Sequence, residues 1–87
     1  MMNKYYSMRS DNVAIDRSES GIVIIVDEMI YILGDIETLI WDKLEQKLSI
    51  DKIIEYLASE YSGQSRKTIE NDVESFINSL LKSNLIY

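Results

Sequence analysis

Carboxylates, hydroxyls and a few cations are the side chains here with any capacity for chemistry. The 87-residue chain has no histidine and no cysteine. That removes the usual general base, the commonest metal ligand, and every thiolate site or disulfide. A carboxylate enzyme would need two acids forced together in a cleft, and no pair in the sequence demands it. No catalytic residue, metal ligand or cofactor is therefore expected. What remains is recognition. Arg66 and Lys67 fall in the first turn of a predicted helix, where the helix dipole disfavours cations. A local rule broken at an exposed helix start points to function, the alternative being ordinary solvated charge. The run Met29-Ile30-Tyr31-Ile32-Leu33 is apolar and contains no proline, lysine or charge of the kind that blunts a sheet edge. Such a strand either awaits another chain or is covered by the N-terminal segment; the residues alone leave both open.

The elements that position these residues must fit in one small domain spanning 1–87. A chain of this length buries only about 60–65% of the surface its unfolded form exposes, so the core is thin. Hydrophobic residues make up 46% of the chain, enough to argue against general disorder. No apolar run approaches the roughly 18 residues needed to span a bilayer. The N-terminus lacks the apolar centre and cleavage site of a secretory signal, so a cytoplasmic location is expected. The net charge of −6 is unevenly spread. Residues 22–48 carry Asp27, Glu28, Asp35, Glu37, Asp42 and Glu45 against Lys43 and Lys47, whereas residues 64–87 are balanced. The acidic face Glu37, Asp42, Glu45 and Glu55 reads as solvated surface, or as a surface for a basic partner.

There is no proline, and each of the three glycines falls at an element boundary. Gly21 precedes the β-branched run 22–26, and Asp27-Glu28 separates it from Met29–Leu33, which predicts a tight antiparallel hairpin. Residues 13–17 alternate weakly and form a first strand, turned at residues 19–21. All strands thus fall within about 12–33. Asp35 is the expected N-cap of a first helix over about 35–47, with Glu37 in its first turn. Its stripe is Ile36, Leu39, Ile40, Leu44 and Leu48. Ser49 caps a second helix over about 50–61, striped by Ile50, Ile53, Ile54, Leu57, Ala58 and Tyr61. Gly63 suits the left-handed cap position that follows. Ser65 caps a third helix over about 66–83, striped by Ile69, Val73, Phe76, Ile77 and Leu80. Asn84 can take the left-handed conformation that ends it, returning Leu85 and Ile86 to the core. The fold class is α+β: a winged helix-turn-helix with an N-terminal three-stranded antiparallel sheet followed by three α-helices.

The punctuation of residues 31–87 resembles that of the PqqD-like recognition domains, which bind leader peptides of ribosomally made, modified peptides. The matching residues are Tyr31, Leu33 and Gly34 at a strand end; Ile40, Trp41 and Leu44; and Ile50, Ile53, Ile54, Leu57 and Tyr61. Asp72, Val73, Phe76, Ile77 and Leu80 follow, then Asn84, Leu85 and Ile86. No single piece is specific, but five in the right order cover about two-thirds of the chain.

The resemblance implies non-catalytic binding of a leader segment as an added β-strand. The leader would pair with the edge Met29–Leu33 and lie in the cleft between that strand and the third helix. Tyr31 and Leu33 occupy positions that face inward in the family, so Met29 joins them at period two. Ile30 and Ile32 then point to the opposite face, where Tyr5, Tyr6 and Met8 are expected to cover them. The flank Arg66, Glu70, Ile77, Leu81 carries more apolar residues than the flank Ser65, Thr68, Asp72, Ser75, Ser79, and is therefore assigned to the cleft. The expected leader contacts are thus Met29, Ile30, Tyr31, Ile32, Leu33, Arg66, Lys67, Glu70, Val73, Ile77 and Leu81. Val73, Phe76 and Leu80 also read simply as core, and Trp41 as structural. Arg66 and Lys67 would meet an acidic leader residue.

The partners so implied are a precursor peptide and a separate maturation enzyme, a leader peptidase and then a cyclase, as for the discrete recognition proteins of lasso-peptide pathways. PqqD itself, which presents its precursor to a radical S-adenosylmethionine enzyme, is the alternative. Its first strand is usually of the form R-L-R-W-D, from which Asn12-Val13-Ala14-Ile15-Asp16 departs. A winged-helix DNA-binding regulator is the rival outside the family. Phosphate neutralisation needs clustered cations, and the third helix sets only Arg66, Lys67 and Lys82 against Glu70, Asp72 and Glu74. Neither nucleic acid nor membrane is an expected partner, while an unpaired edge also permits a homodimer.

Overall fold

The computed structural model describes residues 5–19 and 21–87. Three strands, β1 (Val13–Ser18), β2 (Gly21–Val26) and β3 (Met29–Leu33), precede three helices, α1 (Asp35–Glu45), α2 (Ile50–Glu60) and α3 (Arg66–Lys82). The sheet is antiparallel in the order β1-β2-β3, so β3 lies at an edge.

Alternation along β2 sets the sheet's inner face: Ile22, Ile24 and Val26 are buried, while Val23 and Ile25 turn outward. The register Ile22↔Leu33, Ile24↔Tyr31 and Val26↔Met29 then fixes which β3 residues share that face. Asp27 opens the hairpin turn in the left-handed conformation, φ 56°, which the short polar side chain of Asp tolerates. Arg9 supports it with a guanidinium–carboxylate contact to Asp27 at 3.3 Å. Gly21 is required for a different reason. Its φ is +135°, and a Cβ there would lie 2.7 Å from the carbonyl oxygen of Leu33.

Each helix is bounded by local chemistry. Ser49 Oγ accepts the Lys52 N–H at 3.3 Å, and Ser65 Oγ accepts the Thr68 N–H at 3.2 Å, as the serines at these positions predict. The first helix starts at Asp35, as expected, but its N-cap is Gly34, not Asp35. Glu37 is responsible, because its carboxylate reaches back to accept the Gly34 N–H at 2.9 Å, the part of a capping box that needs no N-cap side chain. At the other end α1 stops at Glu45 because Lys47 takes φ 62°. Lys47 N–H then donates to Leu44 O at 2.9 Å and Leu48 N–H to Lys43 O at 3.2 Å, a Schellman closure. Asn84 ends α3 in the same way, with φ 59° and Leu85 N–H donating to Leu80 O at 3.0 Å. Gly63 does not take the expected left-handed conformation. Residues 61–64 instead close a turn through Gln64 N–H to Tyr61 O at 3.1 Å, which leaves Gly63 without that task.

The core joins the inner sheet face to Ile40, Trp41 and Leu44 of α1, Ile50, Ile53, Ile54 and Leu57 of α2, and Ile69, Val73, Phe76, Ile77 and Leu80 of α3. Leu85 and Ile86 complete it. Trp41 is 1% exposed, and its indole N–H has no partner among the described residues.

Tyr5, Tyr6 and Met8 do not cover the outer sheet face as expected, where Ile30 and Ile32 stay exposed. Ser7 and Tyr87 exchange backbone hydrogen bonds at 2.8 and 2.9 Å, and Arg9 N–H donates to Leu85 O. Met8 thus pairs with Ile86, Tyr6 is buried in the core and Tyr5 is 65% exposed. Main-chain pairing with the chain end wins because the Asn84 turn presents residues 85–87 as an extended partner. Residues 1–4 lie outside the described residues.

Candidate functional site

Nothing among the described residues pairs with the outer side of β3. Leu33 is buried and Tyr31 half-buried on the helix side, whereas Ile30 and Ile32 stand out on the other face beside Ile25. Met29, expected on the inner side, is 55% exposed. It begins an edge strand and has no further strand beyond it to bury against.

A groove runs beside this edge, between β3 and α3. Its first part, about 230 Å³, is bounded by Tyr31, Ile32 and Leu33 on one wall and Phe76, Ser79, Leu80 and Ser83 on the other. Glu37, Phe76 and Ser79 are shared with an adjoining cavity of about 310 Å³ whose walls include Ile36, Ile40, Asp72 and Ser75. Side by side, the two extend from the end of β3 to the start of α1. Tyr31 Oη and Ser83 Oγ, 2.8 Å apart, are hydrogen-bonded across one end of the groove. Ser79 Oγ is turned back onto the Ser75 carbonyl at 3.1 Å.

The α3 flank assigned to this groove from the sequence does not line it. Arg66 contacts Glu70 at 3.2 Å and Asp51 of α2 at 3.6 Å. Ile77 is buried and shares a small cavity with Tyr6, Ile50, Glu74 and Asn78 on the α2 side. Val73 is fully buried, Leu81 packs partly against the core, and Lys67 is exposed. Ile77, the buried apolar residue of that flank, is thus turned toward Tyr6 and Ile50 rather than toward the groove. The groove receives Asp72, Ser75, Phe76, Ser79 and Ser83. A signal for this existed: small polar residues at 75, 79 and 83, spaced by four, leave a helix face that another backbone can approach closely.

Electrostatics separate the groove from the rest of the surface. On the far side, Arg17 of β1 contacts Asp42 at 2.7 Å and also pairs with Glu45. Hydrogen bonding to Asp42, then to Glu45, raises the Arg17 pKa further above its already high ordinary value. Glu55 contacts Lys52 at 3.6 Å. Three of the four acids expected on one face are therefore ion-paired, while Glu37 lines the groove. Among the described residues no cluster of three or more acids could hold a metal ion. No helix is long and apolar enough to cross a membrane.

An antiparallel three-stranded sheet followed by three helices, with the last strand at an edge beside the last helix, defines a small α+β fold. The chain belongs to the family described as coenzyme PQQ synthesis protein D (PqqD), whose profile matches residues 21–86. Two solved structures share its fold. TbiB1 in complex with the TbiA(beta) leader peptide superposes with a TM-score of 0.81 at 24% identity, covering 92% of this chain and 94% of that one. A lasso peptide synthetase B1 complexed with its leader peptide gives 0.82 at 22% identity, covering 97% and 99%. No curated protein matches the sequence.

Proposed function

We propose that this protein is a non-catalytic recognition protein. It binds the leader segment of a ribosomally made precursor peptide as a fourth strand on β3 and delivers it to a separate maturation enzyme. The observation that carries this reading is the β3 edge, unpaired among the described residues, beside a groove lined by Tyr31, Leu33, Phe76 and Ser79. Main-chain hydrogen bonds would align the peptide, and alternate side chains entering the groove would select it. Both structural neighbours are complexes with leader peptides, which supports the same occupant here. A leader peptidase of the lasso type, followed by a cyclase, is the partner this reading favours, and the cytoplasm, where precursors are made, its location.

The domain contributes proximity. Holding the leader while leaving the core segment free raises the precursor's effective concentration beside the enzyme. Ordering a disordered leader consumes about 2–5 kcal/mol of the gross interaction. A second copy of the chain would compete with the leader for the same edge, so leader binding favours the monomer. Fluorescence anisotropy of a labelled leader, taken from the precursor encoded beside this gene, tests the reading. Saturable binding that unlabelled leader displaces and core peptide does not is the expected result. Equal displacement by both, or no binding with the partner enzyme present, would refute it.

A further inference from the structure

We infer that the groove selects a leader carrying a lysine or arginine, whose side chain lies along Phe76 and Ile36 and ends at Asp72. This rests on the proposed strand addition at β3 and specifies what the groove accepts. The residues of the adjoining cavity supply the argument. Its floor is apolar, built from Ile36, Ile40 and Phe76, and its rim carries two carboxylates, Asp72 and Glu37. Glu37 holds the Gly34 N–H through one oxygen. Asp72 is exposed and has no hydrogen bond or ion pair among the described residues. No cation of the described residues lines either part of the groove. Arg66 of α3 is directed elsewhere, onto Asp51 and Glu70.

An apolar floor under an acidic rim fits a side chain with an apolar stem and a cationic head. A purely apolar side chain would fill the floor and leave Asp72 to water. An acidic one would meet two like charges in a protein of net charge −6. A strand paired to β3 directs alternate residues to one side, so the selected cation occupies a groove-facing position. The charge preference is the reverse of the one that Arg66 and Lys67 suggest from the sequence.

The test uses the full chain and the labelled leader of the adjacent precursor, with each lysine and arginine replaced singly by norleucine. Asp72→Asn is expected to weaken the leader by about fivefold at low salt, with the difference shrinking as salt is raised. One norleucine peptide should lose a similar factor against the wild-type protein and nothing further against Asp72→Asn. Asp72→Lys should weaken the leader more than Asp72→Asn and now prefer glutamate at that leader position. Unchanged melting of both variants shows that the fold is intact, as expected for an exposed side chain without partners. Normal leader binding by wild-type protein combined with no effect of Asp72→Asn would overturn the charge assignment and leave strand addition standing. No leader binding to wild-type protein would overturn both.

Discussion

Tyr31 of β3 and Ser83, the C-cap residue of α3, are hydrogen-bonded with their oxygens 2.8 Å apart. This contact ties the edge strand to the end of the helix that forms the opposite wall of the groove. It sits beside the Asn84 turn that sends residues 85–87 back to pair with residues 7–9. The width of the groove at this end therefore depends on one side-chain bond and one backbone turn.

Removing either hydroxyl should loosen that end. Tyr31→Phe and Ser83→Ala are each expected to lower stability by about 1 kcal/mol, the net value of a part-buried hydrogen bond. Because they share one interaction, the double variant should lose less than the sum. Urea denaturation of the four proteins measures this, and additive losses would show that the two groups act independently.

Strand addition predicts a period of two in the ligand. N-methylation of single leader amides should weaken binding by about tenfold at alternate positions, where the amide donates to β3, and little at those between. Binding constants for an N-methyl scan of the leader would show it. A flat profile would exclude main-chain pairing even if the leader binds.

The approach of Gly21 to Leu33 links the first hairpin to the end of β3. With φ +135° and 2.7 Å from a would-be Cβ to the Leu33 carbonyl oxygen, Gly21→Ala is expected to cost about 2 kcal/mol or more. Chemical denaturation gives the number. A loss under about 0.5 kcal/mol would mean that the turn relaxes without strain.

Lys47 carries a left-handed conformation that suits glycine better. Lys47→Gly should stabilise the protein by up to about 1 kcal/mol, since a β-carbon disfavours that region. The gain would appear as a higher urea midpoint with the same slope.

The boundary chemistry was legible wherever a residue type has one local use. Ser49 and Ser65 cap because a hydroxyl before an amphipathic stripe finds the free N–H groups of the first turn, and Asn84 closes α3 because it tolerates positive φ. The hairpins followed from β-branched runs interrupted by short polar pairs. Where two residues compete for one task, the sequence was ambiguous. Asp35 has the better capping side chain, yet Glu37 reaching back to Gly34 makes Gly34 the N-cap. Gly63 is the freer residue, but Lys47 takes the left-handed conformation because Leu48 must return to the core.

The groove was half legible. The apolar, uncharged run Met29–Leu33 marks an unprotected strand by composition alone. Which flank of α3 faces it depends on what lies against Ile77, and that includes Tyr6, from an N-terminal segment with no periodic signal. Its pairing with residues 85–87 is long-range and invisible to local pattern. Without that contact the more apolar flank looked like the cleft, and Arg66 looked free although Asp51 and Glu70 hold it.

The claim that β3 accepts another strand is tested most directly by amide hydrogen exchange of the isotopically labelled protein with and without the leader. The account predicts new protection at amides within Met29–Leu33, with chemical-shift changes at Asp72, Ser75, Ser79 and Ser83 and little change on β1. Binding that leaves the β3 amides exchanging as before, with shifts confined to other surfaces, would contradict it.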